Sequence, residues 1–193
     1  MSTVAGLATR ERLLASAREL IEEGGYGSAS VAAIAERAGV AAGTLYRHFP
    51  SKEDLFVEVF RSVCAGEERA MRLAGDEAGP GAVDRLEAIL TTFARRALQN
   101  RSLAWALIAE PVDPRVDAER LAYRARYAQL IAQVVDAGIA ADELPPQDVG
   151  LTAAALVGGC AEALVGPLSS VDASEEVVAA IQTFVRRAIG AGA

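Results

Sequence analysis

Thr44, Tyr46, Arg47, His48 and Lys52 fall close together, and the interval from Arg37 to Lys52 contains no acidic side chain. Two hydroxyls, a guanidinium, an imidazole and an ammonium group are donors suited to phosphate oxygens and to the edges of bases. Chemistry of that kind needs no metal and no nucleophile. His48 is the only histidine, so a histidine-based metal site or a Ser-His-Asp triad elsewhere has nothing to use. Cys64 and Cys160 stand far apart with no cysteine or histidine cluster nearby, and read most simply as reduced, buried thiols. No metal site and no cofactor is expected, and no phosphate loop or nucleophile-base pair is visible to support an enzyme.

The elements that must hold these groups follow from spacing. Val31, Ile34, Ala35 and Ala38 recur at helical intervals, and Gly39 stops that helix. Val40 packs a tight turn, residues 41–49 make one short further helix, and Pro50 ends it. Ser51 with Asp54 then fits a capping pattern for the next helix. Helix, glycine-containing turn and short helix is the layout of a helix-turn-helix. Leu45 and Phe49, four apart, form the buried stripe of the short helix. Thr44 and Tyr46 are left toward a groove, with His48 close to the strand.

Residues 30–56, SVAAIAERAGVAAGTLYRHFPSKEDLF, closely resemble the DNA-binding signature of the tetracycline-repressor (TetR) family of bacterial transcription regulators. The resemblance begins near Thr9 and covers the first third of the chain. Gly39, Gly43, Leu45, Tyr46, His48, Phe49 and Lys52 carry it. Ala29 and Ala41 depart from it, because family members often place a hydroxyl there that caps a helix or touches phosphate. The resemblance implies DNA contacts from Arg10, Ser30, Ala42, Gly43, Thr44, Tyr46, His48 and Lys52. Gly43 would let the backbone come close, and Ser30 would also cap the second helix.

At 193 residues the chain is long enough for a proper core, with 52% apolar and only 5% aromatic residues. An Ala-rich composition without sustained alternation predicts an all-α protein. No apolar run is long and charge-free enough to span a bilayer, and the N-terminus lacks a signal-peptide layout, so a cytoplasmic location is expected. The net charge of −7 counts against nucleic acid until its distribution is considered. Residues 1–52 carry +1, and the remainder carries −8. An acidic body behind a locally basic head suits a specific binder better than a general coat on DNA.

Along the chain, residues 1–8 are expected to be lightly ordered, with Thr9 as an N-cap before Leu13, Leu14, Ala17, Leu20 and Ile21, and Gly24-Gly25 as the stop. The helix from Ser51 carries Leu55, Phe56, Val59, Phe60 and Val63. Its first part is expected to pack on the head and its later part to run into a second domain, before Gly79-Pro80-Gly81 breaks the pattern. Leu86, Ile89, Leu90 and Phe93 open the next helix, which ends near Asn100. Ser102 can cap a shorter one that closes at Glu110-Pro111. Asp113-Pro114 starts a long helix to Gly138, with Tyr123, Tyr127, Leu130, Ile131, Val134 and Val135 as its stripe. A helix of small residues follows, ended by Gly166-Pro167. Asp172 with Glu175 fits a last cap, before Val177, Val178, Ile181, Phe184, Val185 and Ile189. The count is about nine helices, divided into a DNA-binding head at 7–67 and an effector-binding and dimerisation body at 68–193.

What the body does is implied by the resemblance. The family binds a small effector among the central helices, which here hold Met71, Phe93, Trp105, Leu107, Ile108, Tyr123 and Tyr127, an apolar set with a few polar handles. The family's last helix pair commonly forms a four-helix homodimer interface. Ala153, Leu156, Val157, Cys160, Leu164, Val178, Ile181 and Val185 are the expected contact residues. A dimer places two reading helices about 34 Å apart, matching a palindromic site on double-stranded DNA. The expected function is a sequence-specific regulator, a repressor released from its operator by a mostly apolar effector. The rival reading is a helical ligand-binding or interaction protein whose head no longer binds DNA, and Ala29, Ala41 and the modest head charge favour it.

Overall fold

The computed structural model describes residues 2–168 and 174–191. Among the described residues there are nine α-helices and no strand: α1 (Ser2–Ser28), α2 (Val31–Arg37), α3 (Leu45–His48), α4 (Lys52–Glu77), α5 (Ala82–Gln99), α6 (Arg101–Ile108), α7 (Pro114–Ala140), α8 (Val149–Val165) and α9 (Ser174–Ala188). A 3-10 turn, Ala42–Thr44, leads into α3. Packing divides the chain into two units. The first comprises residues through 64 together with 102–120, and the second comprises 65–101 together with 121–193.

The first unit buries Leu13, Ala17 and Ile21 of α1 against Ile34 and Ala35 of α2, Leu45 of α3 and Leu55, Phe56 and Phe60 of α4. These positions recur every three or four residues, so each helix turns one apolar face inward. The Tyr26 and Phe56 rings meet with centroids 4.9 Å apart. Helix α1 starts at Ser2, and Thr9 lies inside it rather than capping it. Ala5, Leu7 and Ala8 are good helix formers, so nothing upstream of Thr9 stops the helix from extending. The expected stop is real: Gly24 and Gly25 leave helical geometry, Gly25 at φ 72°. Ser28 closes the break by donating to the carbonyls of Leu20 and Gly25.

Segment 102–120 joins this unit through polar contacts. The Glu110 carboxylate accepts the Tyr26 N–H at 3.0 Å, just past the kink in α1. A Cβ on Gly25 would stand 2.7 Å from the same carboxylate, so the approach needs glycine twice over, for space and for its positive φ. Arg115 reaches Asp54 at 3.0 Å, and Arg61 reaches Glu119 at 2.5 Å. Arg120 donates to the carbonyls of Ala106, Leu107 and Glu110, which satisfies the C-terminal end of α6. Ser102 lies within α6, which begins two residues earlier than a cap at Ser102 implies. Asp113 does cap α7, its carboxylate accepting the Arg115 N–H at 2.9 Å with Pro114 in the first turn. That bond, and then the Arg115 guanidinium, hold the Asp113 carboxyl below its usual range.

In the second unit α9 lies along α5, and α8 packs on both. Leu86, Ile89, Leu90 and Ala94 of α5 meet an inner face made of Leu156, Cys160 and Leu164 of α8 and Val178, Ile181 and Val185 of α9. The stripe of α7 is buried as expected, from Tyr123 to Val135. Phe184 departs from its stripe and is 42% exposed. Asp148 caps α8 by accepting the Leu151 N–H at 2.7 Å. The cap expected at Asp172 lies outside the described residues.

Candidate nucleic-acid interface

Helix α2 is capped at both ends. Ser30 Oγ accepts the Ala33 N–H at 3.1 Å. At the other end Gly39, at φ 66°, donates to Glu36 O, and Val40 donates to Ala35 O at 2.9 Å. This pair of bonds is a Schellman motif, which requires a left-handed residue where the chain places Gly39. It turns the backbone sharply into the 3-10 turn, where Thr44 N donates to Ala41 O at 2.8 Å. Ala41 offers no side-chain cap. Phe49 is extended, at φ −133° and ψ 127°, as the residue before Pro50 is biased to be. Ser51 Oγ then accepts the Asp54 N–H at 3.1 Å and donates to the Asp54 carboxylate at 2.5 Å, starting α4.

The result is a short helix anchored by Leu45 and Phe49, which are 0% and 1% exposed. Tyr46 is 56% exposed. Ala42 and Gly43 are exposed, and Thr44, His48 and Lys52 are half-buried. A Cβ on Gly43 would meet nothing within 4 Å, so space inside the chain does not explain a glycine there. The Lys52 ammonium lies 5.1 Å from the centre of the Phe56 ring. Arg10 is placed differently from the rest of the expected set. Its guanidinium sits 4.9 Å above the Phe49 ring and is paired with Glu58. Arg47, one of the donors suited to phosphate and base edges but not among the contacts the resemblance implies, is exposed on α3. The matched motif skips its position, while the burial of its neighbours shows which way it faces.

The residues expected to line an effector site divide between the units. Met71, Phe93, Tyr123 and Tyr127 lie in the second, and Trp105, Leu107 and Ile108 in the first. Three of the first four meet: the Phe93 and Tyr127 rings are 6.4 Å apart, and those of Tyr123 and Tyr127 are 6.1 Å apart. Met71, Tyr123 and Tyr127 are buried and Phe93 is half-buried. The Arg126 guanidinium covers the Tyr123 ring at 5.0 Å. Trp105 is 46% exposed, and Leu107 and Ile108 are half-buried.

Ala153, Leu156, Val157, Cys160, Leu164, Val178, Ile181 and Val185 are all buried inside the single chain, at 9% exposure or less. They form the core beneath α8 and α9. Helix α8 is apolar on every side, and its periodicity alone does not say which face turns inward. The outer face holds Leu151, Ala154, Ala155, Gly158 and Gly159 of α8, with Phe184 of α9 alongside.

Comparison with known proteins agrees with this architecture. Residues 13–59 match the family model described as "Bacterial regulatory proteins, tetR family", and residues 79–164 match "Tetracyclin repressor-like, C-terminal domain". The HTH-type transcriptional regulator UidR of Escherichia coli K12 is 35% identical over 112 residues, 57% of this chain and 56% of UidR. The HTH-type transcriptional repressor KstR of Rhodococcus jostii is 37% identical over 99 residues, 51% of this chain and 45% of KstR. The chain thus spans about half the length of the curated relatives it matches. The crystal structure of FadR from Bacillus subtilis in complex with stearoyl-CoA superposes with a TM-score of 0.77 at 22% identity, covering 95% of this chain and 99% of FadR. With a helix-turn-helix built as above and two models of one family matched in tandem, the chain belongs to the tetR family of bacterial regulatory proteins.

Proposed function

We propose that this protein is a homodimeric, sequence-specific DNA-binding transcription regulator, a repressor released from its operator by a small, mostly apolar effector. The observation that carries the reading is the short helix held by Leu45 and Phe49, with Tyr46 exposed on it, Gly43 exposed in the turn before it, and no acidic side chain from 38 to 51. Thr44, Tyr46, His48 and Lys52 take phosphate or base edges, and Ser30 adds a phosphate contact at the start of α2. Arg10 reaches phosphate only by exchanging its Glu58 partner. The two matched family models support a DNA-binding head at 7–67 and a regulatory body at 68–193. In the body, the Phe93, Tyr123 and Tyr127 ring cluster is the best support for an apolar effector site. The stearoyl-CoA held by the Bacillus subtilis FadR makes long-chain acyl-CoA the first compound to try.

The outer face of α8 and α9 supports a homodimer. Leu151 is 70% exposed and Phe184 42%, and Gly158 has nothing within 4 Å of a built Cβ, so a second copy would find small residues and two large apolar anchors. Fluorescence polarisation against DNA upstream of its own reading frame, repeated over a salt series, tests the reading. Tight binding to one fragment, falling steeply with salt, is the expected result. Lys52→Ala should flatten the salt dependence by about one logarithmic unit of slope per head, and Tyr46→Phe should weaken binding without unfolding the protein. Equal affinity for scrambled DNA would leave the body as the functional part. Release of the labelled fragment by a compound would then identify effectors.

A further inference from the structure

In the first unit most arginines already have carboxylate partners. Arg10 is paired with Glu58, Arg18 with Glu22 at 2.6 Å, Arg37 with Glu23 at 2.6 and 2.8 Å, Arg61 with Glu119 and Arg115 with Asp113 and Asp54. The Glu23 carboxyl is held below its usual range by its hydrogen bond from Arg37, so that pair stays charged at neutral pH. Arg47 forms no ion pair among the described residues, and it is the one arginine on α3. Arg12, on α1, shares the lack of a partner but not the position.

The direction of Arg47 follows from the helix. Within α3 successive residues turn by about 100°, so Arg47 falls about 160° from the buried Leu45. Tyr46 falls about 100° and His48 about 60° from Leu45. Burial agrees: Leu45 and Phe49 are enclosed, His48 is half-buried and Arg47 is exposed. One turn before Arg47 on the outward side lies Gly43, bare backbone with open space beyond it. The outermost line of the element is therefore a glycine followed by a guanidinium.

We propose that Arg47 reads a base, engaging guanine O6 and N7 in the major groove at one fixed position in each half of the DNA site. The inference rests on the DNA-binding function proposed above and names its specificity. A guanidinium presents two parallel N–H donors, and among the four bases only guanine places two acceptors side by side on its major-groove edge. The neighbouring side chains do not duplicate this. Ala42 and Gly43 offer only backbone groups, and Tyr46 and His48, next to Arg47 on α3, point away from its outward direction and carry no two-donor fork. Helix α3 thus carries one bidentate reader.

The test uses the full-length protein and an operator selected from a random duplex pool. Wild type, Arg47→Ala and Arg47→Lys are titrated against that operator and against a set with every base pair replaced singly. Wild type should lose about tenfold or more at one G·C pair per half-site, and Arg47→Ala should bind all substitutions at that pair alike while keeping its preferences elsewhere. Arg47→Lys should recover affinity but not full discrimination, since an ammonium is not a planar fork. Uniform weakening on every sequence, with a flatter salt dependence, would make Arg47 a phosphate contact and overturn the proposal. Unchanged discrimination in Arg47→Ala would overturn it equally. Failure of wild type to select any sequence would instead remove the DNA-binding reading on which the proposal rests.

Discussion

At Gly138 one hydrogen atom stands where a methyl group has no room. A Cβ there would lie 2.6 Å from the Ala82 Cβ and 2.9 Å from Leu144 Cδ1, so α7 and the start of α5 would have to separate. Gly138→Ala gains about 1 kcal/mol of helix propensity and loses about 1–3 kcal/mol to overpacking, so a net loss is expected in a urea titration. Cys160 presents the opposite situation, a side chain sealed in. Burial pushes its thiol up to about 12 from 9.0, leaving it neutral and unreactive at pH 7. Iodoacetamide should leave Cys160 unmodified in the native protein and modify it on unfolding. The pKa is raised in the folded state, so the associated stability is complete below pH 9.0 and declines as pH rises from there toward 12. The tight packing at Gly138 is invisible in sequence, because a glycine near a helix end has many ordinary uses, whereas the burial of Cys160 is the simplest reading of a lone thiol.

The elements of the head were largely legible. Ser30, Gly39, Pro50 and Ser51 each act through a local rule, and all four do in the structure what spacing implies. The start of α1 was misjudged because a capping residue is only a cap if the chain before it leaves the helix. The connection from Glu110 to Tyr26 was not legible at all, since the two are 84 residues apart. Glu110→Ala would leave the Tyr26 N–H without its acceptor and should cost about 1–3 kcal/mol, whereas Glu110→Gln keeps an acceptor and should restore most of it. Hydrogen exchange at the Tyr26 amide, slow in wild type and fast in Glu110→Ala, is the direct measurement.

For the whole molecule, the proposed homodimer turns on the surface that a second copy meets. The residues first expected there fill the core under α8 and α9, and the outer face remains as the proposed interface. Gly158 separates the two possibilities. Nothing lies within 4 Å of a Cβ at that position, so Gly158→Glu is compatible with the folded single chain. Sedimentation equilibrium should show a dimer for wild type and a monomer for Gly158→Glu, with helical circular dichroism unchanged. A dimeric Gly158→Glu protein would remove this face from consideration. Neither outcome depends on DNA, so the assembly and the reading head are tested apart.

The amino-acid sequence by itself determined the helical class, the helix-turn-helix and its caps, and the family to which the chain belongs. Those features follow from rules that operate within a turn or two of backbone: apolar spacing, glycine at a left-handed position, proline at a break, and a hydroxyl before an acid. Tertiary structure alone decided the rotation of α8 and α9, the pairing of Arg10 with Glu58, and the grouping of 102–120 with the head. Each of these depends on which partner covers which face. In a chain as rich in alanine, leucine and valine as this one, several faces of a helix are apolar enough to be covered, and only packing among distant segments selects one.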